Sequence, residues 1–254
     1  MKTSKSIILI HATILWISML GINYNCSTSR LPAEYRTDTL YTNINGNGDL
    51  LEIHFRRGTE HNHPLMAIWI EDTLGNYIQT LYVAESIAKG VFGHGDKSTG
   101  KWMPGVIRRP ASLPVWAHQR GVKESDGLFM PTQETAIPDA YTGATPAAHF
   151  ILYAKTDTVL PEQFYVYFEI NQSWDWNNYW TNNKYPDDED YKTSCQPALI
   201  YRAKLNYGKS DEKSSLELIG HSHYSGDHGE IYNDLSTITT AKDITESIAV
   251  RLVR

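Results

Sequence analysis

Residues 66–83, MAIWIEDTLGNYIQTLYV, restrict what this chain can become more than any other segment. Met66–Asp72 and Tyr77–Val83 are runs of β-branched and aromatic residues. Between them stands Thr73-Leu74-Gly75-Asn76, whose Gly-Asn pair suits a tight reversal. Such a pattern predicts an antiparallel hairpin. Further strands are predicted at Leu50–Phe55, His149–Ala154, Gln163–Ile170, Ala198–Leu205, Leu216–His221 and Ser247–Val253. The run Phe164–Ile170, FYVYFEI, barely alternates, as expected of a strand covered on both sides or set in a sandwich core. No window sustains a 3.6-residue apolar period; only Ala84–Lys89 suggests a helical turn. The chain therefore reads as all-β, a β-sandwich of the immunoglobulin-like kind.

Two long insertions interrupt the strands, at about 90–148 and about 171–197. Both are rich in Trp, Tyr, His and Asn, unlike disordered linkers, and are expected to be ordered against the sandwich. Organisation at the start of the chain is different. Lys2 and Lys5 precede an apolar run from Ile7 to Ile22, the pattern of a secretory leader. Its length is just short of a membrane span, so it serves as a cleaved signal or as a retained tether. Cys26 stands where a bacterial lipoprotein carries its lipid, whereas Ser27 and Ser29 offer a small-x-small site for ordinary cleavage. The expected boundaries are a leader at 1–25, a linker at 26–45 and a single β-sandwich domain at 46–254. The location is outside the cytoplasmic membrane: periplasmic or attached to the cell envelope, with lipid at Cys26 as one alternative.

Composition narrows the partners. The formal charge is -6, and losing residues 1–25 removes two lysines and no acid, making it two units more negative. A surface of that sign repels phosphate backbones, so nucleic acid is not expected. Only Cys26 and Cys195 are present, too few for a disulfide framework. No G-x-S-x-G, Walker loop or H-E-x-x-H occurs.

Asp139-Ala140-Tyr141-Thr142-Gly143-Ala144-Thr145 reads D-x-x-T-G-A-T. It resembles, at Asp139, Thr142, Gly143, Ala144 and Thr145, the acceptor sequence of exported flavoproteins such as subunits of sodium-translocating NADH:quinone reductase. The resemblance implies FMN held covalently, by a phosphoester on Thr145, and loading by a FAD:protein FMN transferase. Gly143 and Ala144 are small, and they suggest a pliable backbone that lets the hydroxyl enter another enzyme's active site. A tether keeps a flavin from being diluted away outside the membrane. Taken in order, MAIWIEDTLGNYIQTLYV, RPASLPVWAHQRG and PDAYTGATP are similar to the exported bacterial family catalogued as domain of unknown function 2271. That resemblance implies electron transfer with a membrane-bound reductase of the PepSY type.

Other residues are candidates on their chemistry. Arg109, or its neighbour Arg108, suits a bidentate contact to the FMN phosphate. Trp116 suits stacking on the flavin ring, as do Trp69, Trp102, Trp174, Trp176 and Trp180, although Trp69 fits a core strand better. His221 and His223 would share one face of a strand and, with Asp227 or His228, make a metal candidate. Asp187-Asp188-Glu189-Asp190 lacks the spacing of a calcium loop and reads as a solvated acidic face. The leading expectation is an electron-transfer flavoprotein, a carrier more than an enzyme with its own substrate. The alternatives are a non-catalytic glycan-binding module built on the Trp174–Trp180 segment, and a metal-binding periplasmic protein.

Overall fold

The computed structural model describes residues 36–96, 98–101 and 103–254, so the leader, Cys26 and Trp102 lie outside the described part. Two sheets face each other. The first has the order β1-β8-β2-β13-β11, built from Thr37–Thr42, His149–Lys155, Leu50–Arg57, Thr245–Val253 and Ser214–Ser215. The second has the order β12-β10-β9-β3-β4-β7, built from Glu217–His221, Leu199–Asn206, Gln163–Asn171, Leu65–Asp72, Tyr77–Ala84 and Thr142–Gly143. A separate ribbon pairs β5 (Val91–Asp96) with β6 (Met103–Val106). The chain is thus an all-β sandwich. Among the described residues three short α-helices complete it: α1 (Glu85–Lys89), α2 (Pro114–Gln119) and α3 (Glu189–Ser194).

The predicted hairpin forms as β3 and β4. Asp72 fixes the turn, its carboxylate accepting the amides of Leu74 at 2.8 Å and Asn76 at 2.9 Å. Gly75 takes the left-handed backbone that this reversal requires, with φ 84°. One boundary is corrected. Residues 37–42 belong not to a linker but to β1, which pairs in parallel with β8. TDTLYT alternates with polar residues on its exposed side, as an outer strand of a sheet does.

Alternation sends Leu51, Ile53 and Phe55 of β2, and Ile248, Val250 and Leu252 of β13, toward the second sheet. There they meet Met66, Ile68 and Ile70 of β3 and Phe164, Val166, Phe168 and Ile170 of β9. Phe55 stacks on Phe150 at 4.8 Å. Each such side chain contributes roughly 1.5–3 kcal/mol by burial, more than the ~0.5–1.5 kcal/mol net of a hydrogen bond. Apolar burial therefore dominates the stability.

The 90–148 insertion explains why β9 does not alternate. Its outward residues Tyr165, Tyr167 and Glu169 are covered by a second apolar cluster, to which α1 contributes Ile87 and Ala88, α2 contributes Val115, Trp116 and Ala117, and Leu113 adds from just before α2. Helix α2 starts at Pro114 with no side-chain cap from Leu113. Fully buried Glu169 supplies that cap from across the layer, accepting the amides of Val115 at 3.1 Å and Trp116 at 2.8 Å. Burial without a cation pushes its carboxyl up to about 8, despite those two donors.

This shift gives stability a pH dependence of definite sign. Folded Glu169 keeps its proton where the unfolded chain, with the ordinary carboxyl value of 4.5, has lost it. The contribution is fully present below the ordinary value and is lost as pH rises through about 8. Urea-unfolding free energies are expected to fall from about pH 5 to about pH 9. Glu169→Gln, which cannot ionise, should flatten that slope.

Candidate functional site

The acceptor-like segment lies on a sheet edge. Asp139–Tyr141 forms a 3-10 turn, and Thr142 and Gly143 then pair in parallel with Val83 and Ala84 as β7, the last strand of the six-stranded sheet. Its backbone is held at nearly every step. Ala140 accepts the Asn43 amide at 2.7 Å. The Tyr141 hydroxyl reaches both oxygens of Asp157 at 2.8 Å. The Tyr82 hydroxyl donates to the carbonyls of Gly143 and Ala144, both at 3.1 Å. Beyond the threonine, Pro146 is buried and its carbonyl accepts from His61 Nε2 at 3.0 Å. The expected pliable backbone is therefore replaced by a clamped one. Glycine at 143 answers a different need, since a Cβ there would sit 3.1 Å from the Tyr82 ring.

Thr145 lies between these anchors, half-buried, and its hydroxyl makes no hydrogen bond to a described residue. It lines a depression of about 330 Å³ together with Glu85, Ser86, Lys89, Val91, Gly93 and exposed Ala144. Lys89 is the cation there. Its Nζ stands 2.7 Å from Glu85 and 3.1 Å from Asp139, and those carboxylates hold the ammonium above its ordinary value. A wider depression of about 730 Å³, lined by Arg56, Arg57, His149 and Lys242, contains no residue of the segment. Arg57 is already engaged with the carbonyls of Ala147 and His61.

Two candidates for FMN contact fall elsewhere. Arg109 does not line the Thr145 depression. Its Nη1 donates to Ser173 Oγ at 2.5 Å and its guanidinium lies 4.4 Å from the Phe92 ring. Phe92 alternates along β5 with Val91 and Gly93, which do line the depression. Burial lowers the Arg109 pKa, and its Nε finds no partner. Trp116 is fully buried in the outer cluster, its indole donating to Thr80 Oγ1 at 2.9 Å. Its face is covered by packing, so it cannot stack on a ligand.

The histidine pair is not one strand face either, because β12 ends at His221. His221 donates through Nδ1 to the Ser222 carbonyl at 2.8 Å and stacks on Tyr232 at 5.5 Å. His223 meets Ser225 Oγ at 2.9 Å and lies 4.4 Å from the His228 ring. Burial, and then His228, lower its pKa. Among the described residues no group of three or more His, Cys, Asp or Glu is placed to hold a metal.

The 171–197 insertion divides its aromatics. Trp180 is buried and its indole donates to Thr237 Oγ1. Trp174, Trp176 and Tyr179 are 56, 52 and 51% exposed. Asn177 holds this turn, donating to Gln196 Oε1 and the Thr237 carbonyl and accepting the amides of Tyr179 and Trp180. Trp174 has φ 66°, a left-handed conformation unusual for a bulky residue.

Sequence reasoning missed Lys89 and Tyr82. Nothing near Lys89 marks it as a neighbour of a segment 50 positions away. For Tyr82 the hydroxyl on a strand otherwise reading as core was the available signal. Comparisons with protein-family models, curated proteins and solved structures each found no match. The resemblance to the exported family rests on the three segments quoted above.

Tyr82→Phe removes the hydroxyl shared by Gly143 and Ala144 and keeps the ring. We expect it to lower unfolding free energy by about 1 kcal/mol and to speed limited proteolysis around residues 143–146 in the native state.

Proposed function

We propose that the chain is an exported electron-transfer flavoprotein carrying FMN on Thr145, relaying electrons between a membrane reductase of the PepSY type and an external acceptor. The observation that carries this reading is the setting of Thr145. The segment D-x-x-T-G-A-T runs through a 3-10 turn into the edge strand at Thr142 and Gly143, and the final hydroxyl, bonded to no described residue, lies beside a depression that Lys89 lines. The donor set suits a phosphoester: a free hydroxyl, a small exposed neighbour at Ala144, and an ammonium at Lys89. The expected leader at 1–25 would deliver the chain to where loading takes place, with Cys26 as an alternative lipid site.

In the loading step, Thr145 Oγ1 forms a bond to the phosphorus of the FMN half of FAD. The pyrophosphate bond to the AMP half breaks, AMP leaves, and the hydroxyl proton passes to a base of the FAD:protein FMN transferase. No oxidation state changes. Tyr82 and Pro146 hold the acceptor backbone still on either side, and Gly143 lets that backbone lie against the Tyr82 ring. The flavin supplies one- and two-electron transfer once attached.

Co-expression of the exported chain with such a transferase should give an intact mass raised by one FMN less one water, with flavin fluorescence in denaturing gels. Thr145→Ala should abolish both signals. A chain that gains no mass, or a gain that survives Thr145→Ala, overturns the reading.

The outward placement of Trp174, Trp176 and Tyr179 favours a second, compatible reading: a glycan-binding face, where aromatic rings lie against pyranose rings. Buried Trp180 is no part of it. Affinity electrophoresis in neutral polysaccharides is the check. Trp174→Ala with Trp176→Ala should weaken retardation by about tenfold or more, and unchanged mobility would remove the idea.

A further inference from the structure

Helix α1 brings one charge to the acceptor edge by means the sequence does not advertise. Its Ile87 and Ala88 are buried in the outer cluster, which fixes the rotation of this single turn and sends Glu85 and Lys89 outward. The helix stops at Gly90, whose left-handed φ of 62° closes it directly after Lys89. The Ala88 carbonyl accepts the amide of Ile137 at 3.0 Å, two residues before Asp139. Backbone hydrogen bonding therefore delivers Asp139 to Lys89. The resulting pair is open to water, with Asp139 82% exposed and Lys89 36%. Ion pairs in such settings are weak and readily exchanged. Among the described residues lining the Thr145 depression, Lys89 is the only cation and Glu85 the only carboxylate, while Asp139 faces the same ammonium. A phosphodiester on Thr145 would bring a further negative charge to this place.

We propose that Lys89 is the cation that receives the flavin phosphate on Thr145, handed over from Asp139. Within this chain the aspartate of D-x-x-T-G-A-T then acts as a positioning residue, holding the ammonium at the depression until the phosphate takes its place. The inference rests on the flavin reading of Thr145 and adds to it a partner for the phosphate. A weak pair suits the role, since exchanging Asp139 for phosphate leaves the same ammonium paired. Without Lys89, the phosphate would face Glu85 and Asp139 uncompensated, and reduction, which adds electron density to the flavin, would become harder.

The test uses the exported chain, a purified FAD:protein FMN transferase, magnesium and FAD. Loading is followed by intact mass, and the midpoint potential of the loaded protein by spectroelectrochemistry. Lys89→Gln is expected to slow loading on the order of tenfold, the effect of one lost charge contact. It should also lower the midpoint potential, by a difference that shrinks at ~1 M salt. Lys89→Arg should restore both, and far-ultraviolet circular dichroism establishes that each variant is folded. Equal rate and potential in wild type and Lys89→Gln overturn the inference while leaving the flavin reading intact. Slow loading with an unchanged potential also overturns it, because Lys89 would then serve only recognition by the transferase. A wild-type chain that takes no FMN, or takes it equally as Thr145→Ala, overturns the flavin reading and this inference with it.

Discussion

The carboxyl of Glu169 is the interaction on which the outer half of the molecule depends. It projects from near the end of β9 and accepts two amides at the start of α2. Six residues are too few for a helix to persist on its own energy. What holds α2 is the burial of Leu113, Val115, Trp116 and Ala117 together with those two bonds. With α2 fixed, Trp116 reaches Thr80 on β4, and β4 in turn presents Tyr82 to the edge strand β7. A buried acid, a helix, a tryptophan and a tyrosine therefore form one chain of contacts ending at the carbonyls of Gly143 and Ala144, next to Thr145. Removing the acid would leave two amides unsatisfied in an apolar layer, which is costlier than the bonds themselves are worth.

Much of the sandwich was legible because its strands announce themselves by residue type. All eight predicted strands exist, within a few residues of the expected ends, and Gly75-Asn76 turns the hairpin as expected. The strands that escaped notice are short or lie at sheet edges. β1 has a mixed sequence with one face in water, and β7 and β11 are two residues each. The short helices α2 and α3 carry no periodicity worth the name, and their positions are set by what they pack on. Glu169 illustrates the limit: within FYVYFEI it resembles the single polar residue of an exposed face, yet it is completely buried.

The site was legible only as a motif. Thr145 and its neighbours stand out in the sequence only through a resemblance to a known acceptor sequence, whereas Lys89 and Tyr82 arrive beside them through sheet pairing and a helix stop. Aromatic and charged residues near the motif in sequence proved misleading for the same reason. Trp116 and Arg109 are close along the chain, but one packs inward and the other bonds Ser173 behind β5. The histidines at 221 and 223 do not share a strand face, because the strand ends at His221, two residues before His223. Spacing predicts geometry only while the regular element lasts.

The anchors flanking Thr145 also imply an order of events. Strand pairing of Gly143 to Ala84 on one side and the bond from His61 to Pro146 on the other join residues 59 and 85 positions apart along the chain. Neither exists in a chain that has not yet folded. The threonine takes up this shape only when both remote segments have come home. An enzyme that recognises the shape would thus act as an inspector, marking finished molecules and passing over those still unfolded.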